Sequence, residues 1–176
     1  MERKSSLDKT PVENALHIPQ QWLEACRSAK GYALLDGAQW PQAVASNPAL
    51  VEVARIQLLD GTPEHEAAAY GPLLLDISPT QHKAAAYLAE LQSKKASVIW
   101  LTASVSLAKL GEALQYRLYP TAPDGDALFL RFYDPRVLFD LETTLSTAQW
   151  TELLSPALSW TYWYPARGFI HYYRKA

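Results

Sequence analysis

Ala127-Leu-Phe-Leu-Arg-Phe-Tyr-Asp-Pro-Arg-Val-Leu138 reads as a strand running straight into a helix. Leu128, Leu130 and Phe132 alternate onto one face, and Phe129, Arg131 and Tyr133 onto the other. Both faces are mainly apolar, so the pattern predicts an interior strand. Asp134 stands where an N-cap belongs. Its carboxylate can accept from the free amides of the first turn, and Pro135 forfeits no hydrogen bond at the first helical position. Arg131 is the exception on this strand. A guanidinium in an apolar layer needs a carboxylate or a carbonyl, because a buried charge stripped of its partner costs about 3 to 5 kcal/mol. The stretch alone predicts an α/β domain with one buried ionic node.

Other apolar runs lie to its N-terminal side. Tyr32-Ala-Leu-Leu35, Leu73-Leu-Leu-Asp-Ile77 and Ser97-Val-Ile-Trp-Leu101 are short and lack alternation, as buried strands do. Helical patterns separate them. Pro19 to Ala29 carries Trp22, Leu23 and Cys26 on one side. Trp40-Pro41 opens a short helix, and Glu64 to Ala69 forms another before Gly71-Pro72. Leu50 to Leu59 fits a strand or a helical turn. Ser78-Pro-Thr-Gln81 is a capping box before a stripe of Ala84, Leu88 and Leu91. Ser104 is the expected cap for a helix with Leu107, Leu110, Leu114 and Leu118 inward. Ser146-Thr-Ala-Gln149 is a second capping box. Trp160 to Tyr164 and Phe169 to Tyr173 flank Pro165-Ala-Arg-Gly168 and read as a β-hairpin. Met1 to Asn14 is polar and expected to be loose at its start.

Strands alternating with helices predict a mixed, mostly parallel central sheet flanked by helices, with the aromatic hairpin at its C-terminal end. The 176 residues suit one domain, with an α/β core over 15–155 and the hairpin over 156–176. Hydrophobic residues make up 49%, enough for a core, and charged residues only 19%, which leaves room for a partner-binding surface. A net charge of -2 gives no electrostatic case for nucleic acid. The first fifteen residues lack the apolar centre of a signal peptide, and no run reaches the ~18 residues of a membrane span. The expected compartment is the cytoplasm.

No catalytic, metal or cofactor constellation emerges. The chain has no dinucleotide-type or phosphate-loop glycine pattern and no Gly-x-Ser-x-Gly elbow. Asp36 ends a strand, where α/β enzymes place reactive groups, yet Asp36-Gly37 is better read as a turn. Asp124-Gly-Asp126 reads as a solvated turn before a metal site. His17, His65, His82 and His171 are scattered. Cys26 is the chain's one cysteine and reads as a core thiol. Arg131, Asp134 and Arg136 could form an anion site but are better read as an ion-pair and cap cluster. Trp160, Tyr162, Trp163, Tyr164, Phe169 and Tyr172, with Arg167 beside them, have the composition of either a core or a partner-binding surface.

Taken in order, Tyr32-Ala-Leu-Leu-Asp-Gly-Ala-Gln39, Tyr70-Gly-Pro-Leu-Leu-Leu75, Ser104 with Leu107 to Leu110, and Phe129-Leu-Arg-Phe-Tyr-Asp-Pro-Arg-Val-Leu138 resemble a known family. It is the domain-of-unknown-function family of bacterial type VI secretion adaptors, also called Tap or TEC chaperones. The resemblance spans residues 30 to 160. It implies a non-enzymatic adaptor that binds a toxin effector in the cytoplasm and helps load it onto the VgrG spike, without a cofactor. The family's characteristic positions fall on Asp36, Gly37, Gly71, Pro72, Arg131, Asp134, Pro135 and Arg136. Two alternatives stay open: a small α/β enzyme with a pocket around Asp36, Arg131 and Asp134, and an immunity-type protein that neutralises a toxin.

Overall fold

A computed structural model describes residues 2–5, 16–40, 47–77, 82–121, 125 and 128–174. The strands are β1 (Glu2–Ser5), β2 (Lys30–Asp36), β3 (Arg55–Gln57), β4 (Pro72–Asp76), β5 (Val98–Ala103), β6 (Ser159–Tyr164) and β7 (Gly168–Tyr173). The helices are α1 (Gln20–Ala25), α2 (Pro48–Val51), α3 (His82–Lys94), α4 (Leu107–Arg117), α5 (Pro135–Thr144) and α6 (Thr147–Leu154). All seven strands join one sheet in the order β1-β7-β6-β5-β2-β4-β3.

Every neighbouring pair in that sheet is antiparallel. This corrects the mostly parallel sheet expected from the sequence. A strand–helix–strand unit sets the relative direction of its strands without making them neighbours. Here β4 and β5, joined through α3, do run the same way, since each is antiparallel to β2. However, β2 lies between them and pairs with both. In the same way β4 lies between β2 and β3.

The non-alternating runs do report burial on two faces. Tyr32 and Leu34 of β2 join Ile99, Leu101 and Ala103 of β5 in a core covered by α4, α5 and α6. Ala33, Leu35, Val98 and Trp100 face the other way, onto Trp22 of α1, Leu50 of α2 and Leu88 of α3. The sheet is therefore the middle of three layers. Each fully buried Leu contributes about 1.5–3 kcal/mol relative to exposure. The large rings also satisfy their polar atoms: Trp22 Nε1 donates to the Leu101 carbonyl at 2.8 Å, Trp100 Nε1 to Gln92 Oε1 at 2.9 Å, and Trp160 Nε1 to the Leu154 carbonyl at 2.9 Å.

The stretch from Leu128 to Tyr133 is not a strand of this sheet. Leu128 donates its amide to the Pro120 carbonyl at 2.9 Å, and Leu130 to the Leu118 carbonyl at 2.8 Å. Proline has no amide to return, so this short pairing cannot extend as a ladder. Phe132 and Tyr133 then form a turn into α5. Phe132 is fully buried, edge-to-face with Trp160 at 6.1 Å. Arg131 faces outward, which corrects its expected place inside an apolar layer.

Some local readings match the structure and others are corrected by it. Asp134 caps α5 by accepting from the Arg136 amide, with Pro135 in the first turn. Ser146 and Gln149 form the full capping box of α6. The cap of α4 is Ser106, not Ser104. Residues 65–70 form a tight 3-10 turn, and Leu50 to Leu59 divides into the end of α2 and all of β3. Glu2–Ser5 pairs with β7 instead of hanging loose. Residues 78–81, 41–46, Asp124 and Asp126, on which other local readings fell, lie outside the described residues.

Candidate functional site

The C-terminal end of β2 delivers Asp36 to the point where three segments meet. Its amide bonds the Ser97 carbonyl at 2.9 Å, and in the sheet it stands opposite Pro72, the first residue of β4. Gly37 then turns the chain against Gly71: a β-carbon on Gly37 would collide with the Gly71 carbonyl oxygen. A β-carbon on Gly71 would meet Leu59 Cδ1 at 2.6 Å. The two glycines are thus required by close approach of backbone to backbone and of backbone to core.

Asp36 has 0% of its surface exposed. One carboxylate oxygen accepts from the Ala38 amide at 3.2 Å, the other from Gln39 Nε2 at 3.0 Å. Gln39 also donates to the Ala96 carbonyl at 2.9 Å, which ties this turn to the start of β5. Arg131 approaches from the turn before α5. Its guanidinium nitrogen lies 3.6 Å from Asp36 Oδ2 and 3.9 Å from Asp134 Oδ2. Asp134 is also buried and holds Arg136 through both oxygens, at 2.9 Å and 2.7 Å, as well as the Arg136 amide at 2.9 Å.

The two carboxylates differ in proton affinity. Burial pushes the Asp36 carboxyl above its ordinary 3.8, and the nearby Asp134 charge adds to this. The Gln39 bond, Arg131 and the Ala38 amide only partly offset it. Burial also acts to raise Asp134, but there the bonds and charge of Arg136, helped by Arg131, win and hold it below 3.8. The side chain of Arg131 is 45% exposed, so the buried charges of this node are carboxylates and the cations lie at the surface. That reverses the arrangement expected from the sequence.

All eight of the motif positions therefore meet at one place: Asp36, Gly37, Gly71 and Pro72 from the strand ends, and Arg131, Asp134, Pro135 and Arg136 from the start of α5. Chemically, two carboxylates and two guanidiniums offset one another and fasten the strand ends to the helix. Among the described residues, no group of three or more His, Cys, Asp or Glu side chains could hold a metal. Burial pushes the Cys26 thiol up to about 12, far from a nucleophile's range.

Most rings of the aromatic hairpin are buried within the chain. Its strands are interior ones, with β6 between β5 and β7, and β7 between β6 and β1. Gly168 closes the turn at φ 74°. Trp160, Tyr162, Trp163, Phe169 and Tyr172 are buried, and Tyr164 stacks on Phe139 at 4.0 Å. Of the seven hairpin residues proposed for contact, only Arg167, in the turn, is exposed. Trp160, Tyr162 and Tyr172 join the core under α4, α5 and α6, whereas Trp163 and Phe169 pack edge-to-face on each other at 5.3 Å as a separate pair.

Gln39 and the Tyr119–Glu64 pair escaped the reading of the sequence. Gln39 completes the Asp36 site, and its signal was the three-residue spacing from an aspartate across a turn. Tyr119 donates its hydroxyl to the Glu64 carboxylate, joining the segment before Leu128 to the 3-10 turn that ends at Gly71. That pairing is long-range and leaves no local trace.

No curated protein sequence and no solved structure matches the chain. A family of sequences does, and its span takes in β2, the Gly71–Pro72 joint, the Arg131–Asp134 node and all but the last residues of α6. Residues 31–152 match the family described as Domain of unknown function (DUF4123), and the chain belongs to that family.

Proposed function

We propose that this chain is a non-enzymatic adaptor of bacterial type VI secretion, which holds a toxin effector in the cytoplasm and helps load it onto the VgrG spike. The observation that carries this reading is the family match over residues 31–152. Those residues include every segment on which the resemblance to the type VI adaptors rests, from Tyr32–Gln39 to Phe129–Leu138.

The geometry of the node favours this reading over the enzyme alternative. A small enzyme working through Asp36, Arg131 and Asp134 needs those groups open to a substrate. Here both carboxylates are buried and turned onto guanidiniums, the arrangement of a structural joint.

The test is co-expression with VgrG and with the candidate toxin effectors of the same bacterium. The expected outcome is a complex containing all three, and loss of toxin solubility and secretion when this chain is deleted. Equal solubility and secretion without it would sink the proposal. Survival of a toxin-expressing cell only when this chain is present would favour the immunity alternative.

A further inference from the structure

The stretch Leu128–Arg131, just before α5, has an edge that the other described residues leave unused. Leu128 and Leu130 direct their amides toward Pro120 and Leu118. Peptide groups alternate in direction along an extended backbone, so the amide and carbonyl of Phe129 and the amide of Arg131 face the opposite way. Among the described residues, these three groups have no hydrogen-bond partner.

The side chains along this edge are also unusually available. Leu128 is 50% exposed and Phe129 39%. The Phe129 ring is held, with Tyr119 at 5.6 Å and Tyr133 at 6.4 Å, so it presents a fixed apolar surface. Arg131 lies 3.6 Å and 3.9 Å from its carboxylates, farther than a hydrogen bond allows, and its guanidinium also approaches the Tyr133 side chain, so only some of its five donors are engaged. Arg136 beside it is 58% exposed. Both guanidiniums are therefore reachable from outside, whereas the carboxylates behind them are not.

We propose that Leu128–Arg131 is an edge to which a partner protein adds an extended segment, apolar against Leu128 and Phe129 and acidic where it reaches Arg131. Backbone pairing supplies the affinity; the apolar and acidic side chains supply the register. The inference rests on the adaptor reading and names where that adaptor holds its effector.

The probe is the purified toxin effector that the co-expression test identifies, titrated against the protein. Phe129→Pro removes an amide that has no hydrogen-bond partner among the described residues. Phe129→Ala removes the ring alone. Leu128→Glu and Leu128→Lys place opposite charges at one exposed position. We expect Phe129→Pro to weaken binding about tenfold or more and Phe129→Ala to weaken it less, with the two variants melting together because both lose the contacts with Tyr119 and Tyr133. Leu128→Glu should weaken binding more than Leu128→Lys.

Unchanged binding by Phe129→Pro and Leu128→Glu, with the wild type still binding, overturns the edge and leaves the adaptor reading intact. Equal loss from the two Leu128 variants overturns the acidic assignment. A wild-type chain that does not bind the toxin removes both the adaptor reading and this inference. Self-association that Phe129→Pro abolishes would make a second copy the occupant and also overturn the proposal. Leu128→Glu keeps the test decisive should Phe129→Pro fail to fold.

Discussion

Arg131 and Asp36 meet across the end of the sheet, guanidinium to carboxylate at 3.6 Å, with the acid wholly buried and the base half exposed. This asymmetry sets the cost of removing the base. A fully buried pair that loses one member costs about 3–5 kcal/mol. Here solvent screens the cation, and Gln39 and the Ala38 amide continue to hold the acid. Arg131→Ala should therefore destabilise by about 1–2 kcal/mol, less than the sequence suggested. Urea unfolding measures it: a lower midpoint with an unchanged slope is expected, and no shift would mean that the pair contributes nothing.

Gly37 and Gly71 separate two kinds of crowding. A β-carbon on Gly37 strikes a backbone carbonyl, which cannot move without displacing β4. A β-carbon on Gly71 strikes the Leu59 side chain, which can turn. Overpacking typically costs about 1–3 kcal/mol. Gly37→Ala should lie at about the top of that range or beyond it, and Gly71→Ala nearer the bottom. Thermal unfolding of the two variants gives the order directly, and a reversed order would contradict the close approach.

The two aspartates should respond to pH in opposite directions. Asp134 is held below 3.8 when folded, so its contribution is present above 3.8 and is lost as pH falls through the folded value. The stability gap between wild type and Asp134→Asn should be widest at neutral pH and close in acid. Asp36 is held above 3.8, so the unfolded chain releases that proton first and its ionisation costs stability as pH rises. Relative to wild type, Asp36→Asn should fare best at neutral pH and lose ground toward about pH 4. Unfolding free energies across this range test both signs, and parallel curves for the two variants would refute the assignment.

What the sequence revealed about this fold and site follows the reach of each interaction. The Asp134–Pro135 cap and the Ser146–Gln149 box are local, and both were legible. The apolar runs of β2 and β5 correctly announced burial on two faces. Their neighbours were not legible, because pairing of β2 with β4 and β5 is decided by packing between distant segments. Arg131 illustrates the same limit at the site. Its need for a carboxylate could be read from its apolar neighbours, yet its position at the surface could not. Leu128 and Phe129 continue an apolar pattern whose outer members no other layer covers.

The hairpin offers the sharpest test of that packing. Trp160 is fully buried, donates to the Leu154 carbonyl at 2.9 Å, and meets the Phe132 ring edge-to-face at 6.1 Å. Trp160→Ala removes the ring from a filled layer and leaves the Leu154 carbonyl without its donor, a loss of about 3–5 kcal/mol. Arg167 sits in the exposed turn of the same hairpin, and Arg167→Ala should stay within about 0.5 kcal/mol of wild type. A partner-binding hairpin would give the opposite pattern: a stable Trp160→Ala protein that no longer binds its toxin. Chemical unfolding of both variants, with toxin binding measured on the same preparations, separates an interior sheet element from a docking surface.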